Sequence, residues 1–321
     1  MRTAFIQALS DLAAHDRRVT LITGDLGFGV MEGFAQAYPH QFVNIGVAEQ
    51  NMTSVAAGMA LAGRIVFTYS IGNFPTLRCL EQVRNDVCYH KADVKVVTVG
   101  GGFAYGALGM SHHATEDLAI MRAMPNMVVI APGDPVEAAA AVRAVTVRPG
   151  PCYLRLGRAG ERAVHGPGVR FELGRAITVR DGGDVTMIST GGLLERAMRV
   201  AEQLDAEGIH VRVLSMHTLK PLDTEAVAQA ARQTGALLTL EEHSIIGGLG
   251  SAVAEALFEG PVNGVRLRRV ALPPAFAAVA GSQDYLREVG GLSESAIAEA
   301  VRSLLRVGAQ EMRGWNGESG S

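Results

Sequence analysis

The apolar positions of the chain form short continuous runs, and stretches with helical spacing separate these runs. Short apolar runs are typical of strands buried on both faces, and a helix between successive strands predicts a mainly parallel, doubly wound sheet. In the first half this pattern predicts strands at 19–23, 42–45, 65–68, 94–99, 127–131 and 152–156, with helices at 3–15, 49–62, 75–90, 116–123 and 136–147.

The same alternation starts again after a segment that is rich in glycine and charged residues. It predicts strands at 185–189, 211–215, 236–240 and 265–270, and helices at 193–207, 224–233, 249–258 and 293–305. We therefore predict two doubly wound α/β domains, at 1–157 and 184–307, joined by a linker at 158–183. The segment 308–321 has no hydrophobic period, so we predict a disordered tail there.

The composition fits two folded domains and excludes several other classes. A chain of 321 residues is typical of two domains, and 48% hydrophobic against 19% charged residues excludes a disordered protein. The 38 glycines, beside only 5% aromatic residues, indicate loops that approach ligands closely. A net charge of −3 argues against partners such as nucleic acid or an anionic membrane.

The cysteines and the N-terminal residues indicate a soluble, cytoplasmic protein. Cys79, Cys88 and Cys152 have neither the spacing of metal ligands nor that of a disulfide framework, so we interpret them as buried thiols in a reducing compartment. The first residues lack the apolar core of a signal peptide, and no apolar run reaches the roughly 18–20 residues of a membrane span.

The densest chemical signal is the string NIGVAEQNM at 44–52. It runs from the end of a predicted strand, through Gly46, into the first turn of a helix, and ligands of doubly wound sheets bind at the carboxyl ends of strands. Taken alone, Glu49 in that first turn is explained by its favourable charge at the positive end of the helix dipole.

Six further segments, taken together and in their order along the chain, favour a functional interpretation of Glu49. They are TGDLGFG at 23–29, LEQVRND at 80–86, SHHATEDLAIMRAMPNMVVIAPGDPVEA at 111–138, PCYLRLGR at 151–158, ISTGGLLERA at 188–197 and EEHSIIGGLGSAVAE at 241–255. Together with GVAEQNM they resemble thiamine-diphosphate enzymes of the transketolase family, over nearly the whole chain up to about residue 306. The form that the chain resembles is the C-terminal, pyrimidine-binding subunit of a split transketolase. The resemblance thus implies a parallel-sheet pyrimidine-binding domain followed by a transketolase-type C-terminal domain.

The resemblance implies thiamine diphosphate as the cofactor and assigns residues to its pyrimidine ring. Glu49 matches the catalytic glutamate, which hydrogen-bonds the ring and controls its tautomer. Phe74 and Ile71 match positions that stack on the ring, with Tyr69 nearby, and ordinary core packing is the alternative for the aromatic residues. Asp25 matches an acidic residue that orders the cofactor site, with an Asx-turn as its structural alternative.

The resemblance also assigns residues to the substrate. His112 matches a catalytic histidine near the reacting carbon, where it would assist proton transfer and hold a substrate oxygen. His113 stands beside it, where the family usually has glutamine, as a weaker candidate for substrate contact. Arg158 and Arg2 match arginines that bind the phosphate end of sugar-phosphate substrates, a task suited to a planar bidentate donor.

Two departures from the family pattern concern the substrate pocket. Leu108 stands where the family has an aspartate that recognises a sugar hydroxyl, and Gly100 stands where it has a histidine near the ketose end. A pocket that loses polar partners no longer favours the corresponding hydroxyls. We therefore expect transfer of a two-carbon ketol unit between sugar-like substrates other than the standard pentose phosphates.

A third departure concerns the metal. The family binds Mg²⁺ and the diphosphate through a GDG motif followed by an asparagine, and the chain contains no GDG. We therefore expect no metal ligand here and a separate N-terminal subunit that holds Mg²⁺ and the diphosphate. The simplest closed assembly is a two-fold α2β2 heterotetramer. Without its partner, this chain should expose a large apolar face.

Other functions remain open at this point. One is the β subunit of a 2-oxo-acid dehydrogenase or of another thiamine-diphosphate carboligase, which is also built on split chains. Another is a non-catalytic scaffold subunit or nucleotide-binding protein, although the glycines at 100–102 lack the full dinucleotide-binding pattern. We interpret His243, in the second half, as structural.

Overall fold

The computed structural model describes residues 1–166 and 168–317, with side chains described up to residue 306. Its twelve strands are β1 (Val19–Thr23), β2 (Phe42–Asn44), β3 (Ile65–Ile71), β4 (Val94–Val99), β5 (Val128–Ile130), β6 (Cys152–Leu156), β7 (Ile177–Arg180), β8 (Val185–Ser189), β9 (Val211–Ser215), β10 (Thr218–Lys220), β11 (Ala236–Ser244) and β12 (Arg266–Leu272).

The helices of the described residues alternate with these strands. They are α1 (Arg2–Ala13), α2 (Glu32–Ala37), α3 (Glu49–Leu61), α4 (Leu80–Gln82), a π-helix (Val83–Cys88), α5 (Asp117–Ala123), α6 (Pro135–Thr146), α7 (Leu194–Asp205), α8 (Thr224–Thr234), α9 (Leu249–Glu259), α10 (Gln283–Val289) and α11 (Glu294–Gly317). Short 3-10 turns occupy Pro39–Gln41, Gly106–Leu108, Met110–His112 and Gly191–Leu193.

The strands form two sheets. Seven strands make the first, in the order β10-β5-β6-β4-β3-β1-β2, and five make the second, in the order β12-β11-β8-β9-β7. All pairs are parallel except two edge pairs, β10 with β5 and β7 with β9. This architecture confirms the predicted fold class of two α/β domains.

The first sheet is covered on both faces, which explains why its central strands are mostly apolar. Strands β1 and β4 are buried at every position. Helices α1 and α6 pack on one face. Helices α3 and α5 pack on the other, where the core continues without a break into the second domain. Residues that alternate along a strand therefore face two different cores.

Several elements differ from the prediction. Strand β7 lies inside the segment 158–183 that we predicted to be a linker, and β10 extends the first sheet from the second half of the chain. Helices α2 and α10 were not predicted. Helix α11 continues to Gly317, through most of the tail predicted to be disordered, since adding residues to an existing helix costs less than starting one. Residues 318–321 lie outside the described part of the chain.

A buried cluster of ionisable side chains joins the start of α6 to the second domain. Asp134 caps α6 by accepting from the amide of Glu137 at 2.8 Å, and it lies 3.1 Å from Nδ1 of His165. Ser215 donates to Glu137 at 2.6 Å. Burial raises the pKa of Glu137. Although burial acts the same way on Asp134, hydrogen bonds from His165 and from backbone amides lower the pKa of that carboxyl to about 2.

His217 lies fully buried between the two domains. Its ring stacks on Phe171 with centroids 4.0 Å apart, and Nδ1 is 2.9 Å from the Thr218 hydroxyl. Burial lowers the pKa of His217 to about 3, so the ring is neutral at pH 7. In the described part of the chain, no helix combines the length and the apolar character that crossing a membrane requires.

Candidate active site

Glu49 lies at the carboxyl edge of the first sheet, at the first residue of α3. The chain turns into this helix at Gly46, which has a φ of +76°. The Glu49 side chain is only 2% exposed, and its Oε1 accepts a hydrogen bond from the Ser70 hydroxyl at 3.2 Å. A Cβ at Gly24 would lie at van der Waals distance, 3.4 Å, from Cγ of Glu49. The fold therefore holds a buried carboxylate at the carboxyl ends of the parallel strands.

Next to Glu49, the site contains an arginine, a phenylalanine and a histidine that contact one another in turn. Nη1 of Arg78 lies 2.8 Å from Oε2 of Glu49 in an ion pair. The Arg78 guanidinium lies over the Phe74 ring, with Cζ 4.5 Å from the centroid. The Phe74 ring meets the His112 ring edge to face at 5.2 Å. The structure thus brings together Glu49, Phe74 and His112.

Arg78 and Ser70 were not predicted. Arg78 lies in the irregular turns that precede α4, and it belongs to none of the segments that carry the family resemblance. Ser70 lies next to Tyr69 in β3, and its hydroxyl looks in the sequence like part of a buried strand. Only the pairing of both residues with the Glu49 carboxylate reveals their role.

Tyr69 and Ile71 belong to the opposite face of the sheet. Side chains alternate along β3, so Ser70 faces Glu49 and its two neighbours face α1. Tyr69 is fully buried and stacks on Phe5 at 5.7 Å, and Ile71 packs against the same core. Tyr69 therefore packs in the α1-side core, and Ile71 is half-buried at the end of the strand against the same core. Contact of either residue with the cofactor stays a prediction.

Asp25 and Asn44 tie the two loops that flank Glu49. Asp25 accepts from the Asn44 amide at 2.9 Å and donates its own N–H to the Asn44 oxygen at 3.0 Å. The same oxygen accepts from the amide of Gly46 at 3.0 Å. Asp25 is exposed and has a φ of +56°. Its observed contacts tie the two loops together, and its role in ordering the cofactor site stays a prediction.

The two adjacent histidines have different surroundings. His112 is half-buried beside Phe74, and its Nδ1 lies 3.0 Å from the Ser111 hydroxyl. His113 is 4% exposed, and its Nε2 lies 3.2 Å from the Gly106 carbonyl oxygen. The structure therefore gives His113 a role in holding the loop. Leu108 lies in the same loop and is 56% exposed.

A buried ion pair anchors this loop to the sheet and to the second domain. Asp117 accepts from Nε of Arg155 at 2.7 Å and from the Tyr153 hydroxyl at 2.5 Å. Arg155 also donates to the carbonyl oxygens of Ala114 and Glu242. The segment that follows His112 is thus held at two residues, Ala114 and Asp117.

The two arginines predicted to bind a substrate anion lie on the carboxyl edge of the same sheet. Arg158 follows β6, and its guanidinium lies 5.1 Å from the centroid of Tyr105. Arg2 begins α1, whose start is fixed by an ion pair between the amino group of Met1 and Glu161 at 2.8 Å. Residues from both ends of the first domain therefore meet at this edge.

A groove of about 710 Å³ opens beside the site. Phe74 and Arg78 line one side, and the segment 272–278 of the second domain lines the other. Its rim exposes large apolar side chains, among them Met110 at 55% and Phe276 at 75%. Among the described residues no cluster of three histidine, cysteine, aspartate or glutamate side chains could hold a metal ion.

Comparison with known proteins matches both domains. The family described as "Transketolase, pyrimidine binding domain" matches residues 1–161, and "Transketolase, C-terminal domain" matches residues 174–297. The chain is 39% identical to the 6-deoxy-6-sulfo-D-fructose transketolase subunit SqwH of Clostridium sp. (strain MSTE9), over 95% of this chain and 94% of that protein. It is 40% identical to an apulose-4-phosphate transketolase subunit of Phocaeicola vulgatus, over 81% of this chain and 84% of that protein.

A solved structure agrees with these relatives. The chain matches a structure titled "Split gene transketolase, inactive beta4 tetramer" with a TM-score of 0.88 and 39% identity, over 95% of this chain and 98% of that one. The fold and the site therefore define a pyrimidine-binding protein of the thiamine-diphosphate type. The chain belongs to the transketolase family, as a C-terminal subunit of the split form.

The residues at the site fit the pyrimidine half of thiamine diphosphate. A buried carboxylate beside an aromatic face suits a flat heterocycle whose ring nitrogens need a hydrogen-bonding partner. Glu49 and Phe74 supply these two features.

Proposed function

We propose that this chain supplies the pyrimidine side of a transketolase active site, and that a separate N-terminal subunit supplies Mg²⁺ and the diphosphate side. The observation that carries the proposal is the buried Glu49 carboxylate next to the Phe74 face. The reaction is transfer of a two-carbon ketol unit between sugar-like substrates.

The chain's own residues have distinct tasks in this reaction. Glu49 hydrogen-bonds the edge of the pyrimidine ring. The Ser70 hydroxyl holds the Glu49 carboxyl in position by donating to its Oε1. Phe74 supports the face of the ring, and His112, which touches Phe74, transfers protons to and from substrate oxygens. Thiamine diphosphate, when bound, supplies the electron sink for breaking the bond beside the substrate carbonyl.

An N-terminal partner subunit in an α2β2 assembly is supported by two observations. The rim of the groove exposes Met110 and Phe276, which a soluble protein normally covers. The similar solved structure is titled a tetramer of β chains and is called inactive. We expect the partner to cover this surface and to complete the site. The cysteines, all free and buried, fit the proposed cytoplasmic location.

The proposed substrates are sugars with an anionic end and an altered hydroxyl pattern. Arg158 and Arg2 offer guanidinium groups for the anion. Exposed Leu108 offers no hydrogen bond where the family has an aspartate. Two similar subunits carry names that specify a sulfofructose and apulose 4-phosphate, neither of them a standard pentose phosphate.

The test is a substrate screen with this chain co-purified with an N-terminal transketolase subunit from the same organism. We expect ketol transfer that is faster with an altered sugar phosphate or sulfonate than with xylulose 5-phosphate and ribose 5-phosphate. Glu49→Gln should reduce kcat/KM by about 10²-fold or more, while Glu259→Gln, an exposed control in the second domain, should not. Unchanged turnover in Glu49→Gln would indicate a scaffold subunit, and decarboxylation of pyruvate without ketol transfer would indicate a 2-oxo-acid dehydrogenase.

A further inference from the structure

One guanidinium group occupies both contacts that the proposed function assigns to the cofactor ring. We propose that Arg78 is an internal stand-in for the aminopyrimidine, which closes the site in the cofactor-free subunit and must leave when the cofactor binds. This inference rests on the proposed function and adds a residue that controls access to the site.

The first contact is at the edge of the ring. Oε2 of Glu49 accepts from Nη1 of Arg78 at 2.8 Å, while Oε1 is used by Ser70. Both carboxylate oxygens therefore already accept a hydrogen bond. The protonated ring nitrogen of the cofactor takes the place of Arg78 at Oε2.

The second contact is at the face of the ring. The Arg78 guanidinium covers Phe74 at 4.5 Å, within the range of a cation–π interaction. A guanidinium is planar, is delocalised and carries N–H groups along its edge, as an aminopyrimidine does with its amino group and its ring nitrogen once that nitrogen is protonated. It therefore satisfies an acidic edge and an aromatic face at the same time.

The two partners differ in their freedom to move. The Glu49 side chain is 2% exposed, whereas that of Arg78 is 45% exposed. Arg78 lies in a run of turns and also lines the groove of about 710 Å³, so its side chain can move out without disturbing the core. Glu49 stays in place and exchanges one planar partner for another.

This exchange lowers the apparent affinity for the cofactor, because part of the binding energy is used to displace Arg78. Breaking a hydrogen-bonded ion pair that is half accessible to water costs a free energy equivalent to about a tenfold change in Kd. Removing the guanidinium should therefore tighten binding by about that factor.

The experiment is calorimetric titration of thiamine diphosphate with Mg²⁺ into the reconstituted complex. We expect Arg78→Met to lower Kd about tenfold and to enlarge the rise in Tm caused by the cofactor. Arg78→Lys, which keeps the charge and loses the planar face, should fall between Arg78→Met and the wild type. Arg84→Met, which removes an exposed arginine in the π-helix, should match the wild type.

The outcomes separate this inference from the proposed function. Equal or weaker cofactor binding in both Arg78 variants would overturn the inference and would assign Arg78 to binding instead. Failure of the wild-type complex to bind thiamine diphosphate would overturn the proposed function itself.

Discussion

Replacing Asp117 with asparagine tests how the segment that follows His112 is held in place. The side chain of Asp117 is fully buried, and Arg155, its ion-pair partner, is 5% exposed. Oδ2 accepts from both Arg155 and Tyr153. Asparagine keeps the shape of the side chain and removes the charge. If its NH₂ group takes the place of Oδ2, it faces the donors of Arg155 and Tyr153 and cannot accept from them.

The cost follows from the burial of the arginine. Removing one partner of a buried ion pair leaves the other charge without compensation, which typically costs about 3–5 kcal/mol. Domains are stable by only about 5–15 kcal/mol, so the loss is a large part of the total. Arg155 also holds Ala114, two residues after His112, so activity of the complex should fall together with stability.

Urea unfolding at pH 7 measures this loss, with a matched control in the same chain. Asp181 forms an ion pair with Arg212, but its side chain is 80% exposed. Asp181→Asn should therefore cost less than about 1 kcal/mol. The double variant with Asp117→Asn and Arg155→Met should cost less than the sum of the single variants, because no charge then remains buried alone.

A loss below about 1 kcal/mol for Asp117→Asn would refute the reasoning. It would mean that Arg155 finds water or another carboxylate, and that the loop bearing His112 is held by other contacts. Strict additivity in the double variant would lead to the same conclusion.

Three further predictions concern the substrate site and the domain interface. Arg158→Gln should raise KM for an anionic sugar about tenfold with little change in kcat, as steady-state kinetics with charged and uncharged sugars will show. Leu108→Asp should shift preference toward standard pentose phosphates, measured as a ratio of kcat/KM values. His217 has a pKa of about 3 in the fold against 6.5 in the unfolded chain, so stability should fall as pH drops from 6.5 toward 3, by at most about 1.4 kcal/mol per pH unit. His217→Phe should flatten that slope in urea unfolding, and an unchanged slope would contradict the assignment.

The sequence predicted the domain pattern well because its strands are buried on both faces. Mostly apolar runs such as 19–23 and 94–99, which the structure buries at every position, predicted these strands correctly. Strand β10 has three residues, and β7 is an edge strand that is only partly buried, so neither produces a hydrophobic run. Where the sequence predicted one helix at 75–90, the structure has turns followed by α4 and the π-helix. The helical part starts later than predicted because Pro75 and the residues after it form turns.

The candidate site was predicted by motif, and motifs carry no information on which face of a strand a residue occupies. The structure places Glu49, Phe74 and His112 close together through Arg78. In β3 it is Ser70 that faces Glu49, and its neighbour Tyr69 faces the opposite core. Arg78 belongs to no recognised string, and only its ion pair in the fold identifies it.

The central claim is that this chain holds half of a cofactor site, and one titration tests it most directly. Thiamine diphosphate with Mg²⁺ is titrated into the chain alone, and then into the chain co-purified with its N-terminal partner. We predict no measurable binding to the chain alone and tight binding to the complex. Tight, Mg²⁺-dependent binding to the chain alone would contradict the account, because the metal and diphosphate site would then lie within this chain.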